Sequence, residues 1–198
     1  MNTAELFAKN IIIEKKGIFL LEWSEKPDLI RALLVLISII GEDLINPTLL
    51  ESEITANKYL KDLFQIRQVS DDILDDNYYL LPSRKEILFL FLQQAASSTV
   101  GPILNGWRSS LSSAPGSILF VRNPDVMSLQ RSAPDLSSFI GPKIADATAF
   151  LSIWSQETQI KLNNKIPQNI LQILEKLPGV LPQDGELASW IADNRSES

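Results

Sequence analysis

Six consecutive apolar residues, Ile87 to Leu92 (Ile-Leu-Phe-Leu-Phe-Leu), constrain the fold of this chain more than any other stretch. Such a run, bounded by polar residues, has no polar face to give to water. It fits a strand buried on both faces of a parallel sheet. Ser83 and Glu86 match a capping box, which would instead open a helix. The strand is preferred because the same grammar recurs. Ile18 to Trp23 is a second apolar run, and Ile118 to Val121 sits between turn residues as a third.

Helical patterns separate these runs. Pro27 suits a first helical turn, Asp28 suits the positive helix end, and Gly41 suits a stop. Between them Leu29, Ile30, Leu33, Leu34, Leu36, Ile37 and Ile40 cover nearly every side, so this helix should be heavily buried. Residues 10–23 hold two β-prone runs around Glu14-Lys15-Lys16-Gly17, which leaves two readings open. One is a hairpin, the other a lead-in followed by one buried strand. Leu44-Ile45 is a candidate short strand before Pro47, and Ala56 to Leu74 has helical spacing in Tyr59, Leu60, Leu63 and Phe64. A further helix is expected from Gly101-Pro102. Another starts at Asn123-Pro124-Asp125, read as cap, first-turn proline and acidic residue, and runs until Pro134 interrupts or shifts it. Residues 143–154 are a candidate final strand.

Strands alternating with helices indicate βαβ units. The expected fold is α/β: a mostly parallel sheet flanked by helices in three layers, with right-handed crossovers. Residues 1–155 form that domain. Residues 156–198 form a helical C-terminal extension, packed on the core or on a partner, with short helix patterns separated by Pro178-Gly179 and Pro182.

The chain has 198 residues, no cysteine and no histidine. Disulfides, thiolate catalysis, zinc–thiolate sites, Ser-His-Asp triads and His-ligated metals are therefore excluded. Eighteen basic against 24 acidic residues give a net charge of −6. Nucleic-acid binding wants a basic surface, so no nucleic-acid partner is expected. The run Ala32 to Ile40, broken by Ser38, is far short of the ~20 residues that span a bilayer. Residues 1–10 show no signal-peptide pattern. A cytoplasmic protein without membrane contact is the expectation.

A phosphate-gripping loop would follow the first strand. Such a loop needs glycines, a lysine and a hydroxyl residue in G-x-x-x-x-G-K-[ST]. The turn here reads Glu22-Trp23-Ser24-Glu25-Lys26-Pro27: no glycine, and glutamates that repel phosphate. After Ile87–Leu92, where magnesium chemistry wants an acid, stand Gln93 and Gln94. Neither a catalytic residue nor a cofactor or metal site is assigned.

Other polar groups carry competing readings. Arg122 and Asn123 are either a polar sensor of ligand or partner, or a surface arginine and a helix cap. Asp71, Asp72, Asp75 and Asp76 lack the glycine and spacing of a calcium loop and read as a solvated helix end. Tyr78-Tyr79 reads as half-buried packing before partner contact. Asp135 orients an arginine, Arg108 or Arg131, or makes a local turn bond. Trp190, with Leu187 and Ile191 at helix spacing, docks on the protein's own core or on a partner. A small-molecule site at the strand carboxyl ends would draw on Trp23, Gln93, Gln94, Arg122 and Asn123.

The segments "LNGWRSSL", "PGSILFVRN" and "LQRSAPDLSSFIGP" together resemble a module of bacterial conflict and signalling proteins. That module is the inactive STAND domain, a degenerate relative of the STAND branch of P-loop NTPases. The matching pieces are a helix carrying Leu104, Asn105 and Arg108, a buried strand, and Ala133-Pro134-Asp135-Leu136. Upstream, "LLEWSEKPDLIRALLVL" is similar to the family's opening strand and helix with the phosphate loop lost. Ser109 stands where the family often has an acid, and Ser137-Ser138-Phe139 where a bulky aromatic often follows. The resemblance implies a P-loop-NTPase-like α/β scaffold without hydrolysis. It would act as an adaptor or sensing module in a prokaryotic, in some cases antiviral, system. A protein partner is implied, and a homo-oligomer is left open.

Overall fold

In the computed structural model, residues 14, 16–64, 85–113, 115–148 and 166–181 are described. The three apolar runs are strands: β1 is Ile18–Trp23, β3 is Ile87–Leu92 and β4 is Ser117–Arg122. Two edge strands join them, β2 (Ile45–Leu50) and β5 (Ile144–Asp146). All pairs are parallel, in the order β2-β3-β4-β1-β5. The register aligns Ile18 with Ser117 and Trp23 with Arg122.

The runs are continuous because both faces of the sheet are covered. Phe19, Leu21, Phe89, Phe91 and Phe120 point to one face, where helix α1 (Lys26–Ile40) and helix α7 (Gln168–Lys176) pack. Ile18, Leu20, Leu88, Leu90, Leu119 and Val121 point to the other. There they meet α2 (Glu53–Leu63), α3 (Ser97–Gly106), α4 (Arg108–Ser112), α5 (Asn123–Ser132) and α6 (Pro134–Ile140). The result is a three-layer α/β fold. The phenylalanines stack across neighbouring strands, with the Phe91 and Phe120 rings 4.5 Å apart and nearly parallel, a contact that adds to plain area burial.

The helices change face with the direction of travel. From β1 the chain moves outward to β2 through α1 on the first face. From β2 to β3, β4 and β5 it travels the other way, with α2 to α6 on the second face. Reversing both direction and face keeps every crossover the same hand. It also makes β1 and β4 a switch point: they are neighbours, yet the helices that follow them leave to opposite faces.

Several boundaries differ from the sequence reading. Pro47 does not end β2 but lies inside it. An edge strand is hydrogen-bonded on one side only, so it tolerates a residue without an N–H. Helix α3 begins at Ser97, four residues before Gly101, with Pro102 in its interior. Ser97, Val100, Gly101 and Leu104 are all buried on one face, and that packing outweighs a proline penalty of ~3 kcal/mol. Gly101 lets α3 and α5 pack closely: a Cβ there would collide with the Ser132 side chain. Helix α5 starts at Asn123 with Arg122 in the cap position and no side-chain capping bond, so Asn123 is not the cap. Of the candidate strand 143–154, Ile144–Asp146 forms β5, and residues 149–154 lie outside the described residues. Gly41 ends α1 as expected, with φ 96° and its N–H bonded to the Ile37 carbonyl at 2.9 Å.

Residues 65–84, which include Asp71, Asp72, Asp75, Asp76, Tyr78, Tyr79 and Ser83, lie outside the described residues, as does Trp190. Among the described residues, no helix is long and apolar enough to cross a membrane.

Candidate functional site

The turn after β1 is held by its lysine. Lys26 is 3% exposed, and its Nζ donates to the Leu177 carbonyl at 2.7 Å and the Gly179 carbonyl at 2.8 Å. Two of the three ammonium donors are thus spent on the chain that leaves α7. Burial pushes the Lys26 pKa below the ordinary lysine value, and Glu175 partly offsets this. Helix α7 itself is fixed by Ile170 and Leu174, both buried against the α1 face of the sheet. An exposed ion pair, Lys176 to Glu51 at 3.4 Å, adds little. The cation in the turn after β1 is therefore a structural joint.

Nothing in the local spacing announces this role. The contact closes over 151 residues, and only the fold brings its ends together. A lysine placed between a buried strand and a buried helix is the one available hint.

Beside Lys26, the ends of β1 and β4 place Trp23 and Arg122 side by side. Trp23 is 1% exposed, and the Arg122 guanidinium lies 5.9 Å from its ring centroid. This is within cation–π range. The Trp23 Nε1 and Arg122 Nε atoms are buried with no hydrogen-bond partner among the described residues. Gln93 follows β3 on the far side of Arg122, half-buried, its N–H bonded to the Leu50 carbonyl at 3.2 Å. Gln94 and Asn123 are exposed at the same edge.

Acidic residues gather on the β5 side of this edge. Glu22 aligns with Asp146 across β1 and β5. Asp28 pairs with Arg31 at 3.3 Å. Desolvation raises the Asp28 carboxyl above its ordinary pKa, Arg31 lowers it, and Asp146 and Glu25 raise it further. A polyphosphate would meet these carboxylates together with a turn that has no glycine and no free lysine.

The remaining candidates form a separate cluster, on helices that feed the amino ends of β4 and β5. The Asn105 side chain bridges α3 and α6. Its Nδ2 donates to Asp135 Oδ2 at 3.2 Å, and its Oδ1 accepts from the Leu136 N–H at 2.8 Å. Arg108 donates to the Asn105 carbonyl at 2.7 Å and lies over the Phe139 ring at 5.8 Å. Asp135 therefore engages the Asn105 amide, which is neither of the two readings its sequence context left open, an arginine (Arg108 or Arg131) or a local turn bond. The reason is position: Asn105 lies in the last turn of α3, opposite the first turn of α6.

The eight candidates thus divide. Trp23, Gln93, Gln94, Arg122 and Asn123 share the carboxyl edge. Arg108 and Asp135 share the α3–α6 junction, and Trp190 lies outside the described residues. Among the described residues, no group of three or more Asp or Glu side chains is placed to hold a metal ion. Fold and edge together define an α/β scaffold of the doubly wound kind, with its switch point between β1 and β4. No protein-family model matches the chain, and no curated protein matches it.

Proposed function

We propose that this chain is a non-catalytic protein-interaction module, an adaptor or sensing scaffold. Its setting would be the cytoplasm of a prokaryote, in a conflict or signalling system of which antiviral defence is one form. The observation that carries the non-catalytic part is Lys26. Its ammonium is buried and bonded to two backbone carbonyls, in a turn that also offers glutamates and no glycine. Phosphate transfer needs mobile or preorganised positive groups aimed at the phosphates, and the lysine best placed for that work is holding the chain that leaves α7. The setting in conflict or signalling systems rests on the sequence resemblance. The partner-binding role rests on it and on Trp190, a large aromatic of the kind that anchors interfaces.

The test is co-expression with the products of the adjacent genes, followed by size-exclusion chromatography. A stable complex is expected, and Trp190→Ala should weaken it by about tenfold or more, the scale of one interface anchor. Separate elution of the chain from every neighbouring product would count against a partner-binding role.

A further inference from the structure

We propose that the carboxyl edge between β1 and β4 binds a single carboxylate group, with the Arg122 guanidinium and the Trp23 indole N–H as its donors. The proposal goes beyond the adaptor reading and does not depend on any partner. Three observations meet at this place. First, it is the switch point of the sheet, where the helices that follow two neighbouring strands leave to opposite faces, the place where open α/β sheets bind their ligands. Second, two donors here are buried with no acceptor among the described residues: Trp23 Nε1, on a side chain 1% exposed, and Arg122 Nε. Buried donors in folded proteins are nearly always paired, so an unpaired couple side by side calls for an acceptor. Third, the guanidinium is held against the indole face at 5.9 Å. A planar guanidinium held in that way is preorganised for the two-oxygen geometry of a carboxylate.

The surroundings set the charge of the ligand. Helix α5 starts at this edge with no side-chain cap, which favours one negative charge. Glu22, Glu25, Asp28 and Asp146 line the β5 side, and they oppose a second or third. A nucleotide polyphosphate is excluded by the same count. A monoanion fits, and the carboxylate can come from a free small molecule or from the end of a peptide.

The indole resonance of Trp23 reads the site directly. It is assigned in a proton–nitrogen correlation spectrum by its loss in Trp23→Phe, and the full chain is then titrated at constant ionic strength. The probes are acetate, acetamide, and N-acetylated tetra-alanine with a free or an amidated C-terminus. The expected result is a saturable shift of the Trp23 indole with acetate and none with acetamide. Arg122→Gln should weaken acetate binding by at least ~tenfold, and Arg122→Lys, which keeps the charge but not the fork, by less. Tighter binding of the free-acid peptide than of acetate assigns the carboxylate to a peptide end; equal binding assigns it to a small molecule. No shift with acetate, or the same shift with acetamide, assigns the two donors to water and overturns the proposal. Should Arg122→Gln fail to fold, the acetate and acetamide titrations of the unaltered protein still decide.

Discussion

Asn105 shows how one side chain fixes the junction of two helices. Its amide supplies both a donor, to Asp135, and an acceptor, for the Leu136 N–H. The N–H of Leu136 lies in the first turn of α6, where backbone donors have no partner within the helix. Asn105→Ala should therefore cost about 1–2 kcal/mol in urea denaturation, the usual range for a lost hydrogen bond that strands a part-buried group. A change within a few tenths of that energy scale of zero would show that the bridge adds nothing. Asp28 gives a second test at this scale. Its pKa is raised in the folded protein above 3.8, so the folded state holds the proton more tightly than the unfolded state. Stability from this group is then fully present below the unfolded value and is lost as pH rises through the folded value. Asp28→Asn removes that loss. Urea midpoints of the variant, relative to the unaltered protein, should rise as pH climbs from below the ordinary carboxylate pKa to above the raised Asp28 value. A relative fall over that range would reverse the assigned sign.

Among the elements, α7 is the one whose place only the fold reveals. It presents Ile170 and Leu174 to the sheet, and its exit is tied to Lys26. Leu174 is fully buried. Leu174→Ala should cost about 2–5 kcal/mol and speed hydrogen exchange across residues 168–177 ahead of β3 and β4. Equal speeding everywhere would mean that α7 is not a separate unit. The central strands are legible in the sequence because burial on both faces leaves an unbroken apolar run, as in β1 and β3. Of the edge strand β2 only the start, at Leu44-Ile45, is legible, because Pro47 reads as a stop and one open side hides its pairing. Helix α3 begins earlier than its proline suggests, since packing on Val100 and Leu104 decides where it starts. Of the candidate site, the carboxyl-edge residues are legible from strand ends alone. The roles of Lys26 and Asn105 are not, because their partners lie 151 and 30 residues away.

For the whole molecule, the order β2-β3-β4-β1-β5 puts β1 inside the sheet, between the central strand β4 and the edge strand β5. In a nucleotide-hydrolysing α/β protein the carboxyl edge of β1 would carry the phosphate loop. Here it carries a buried lysine that clasps the chain leaving α7, flanked by glutamates. Removing the ammonium strands two carbonyls, so Lys26→Met should lower stability by about 2–4 kcal/mol. The most direct measurement is magnesium–ATP hydrolysis by the unaltered protein and by Lys26→Met, with urea denaturation of both. A structural lysine predicts hydrolysis at the buffer background in both proteins and a clear loss of stability in the variant. Hydrolysis above background that Lys26→Met abolishes, with stability unchanged, would contradict a non-catalytic scaffold.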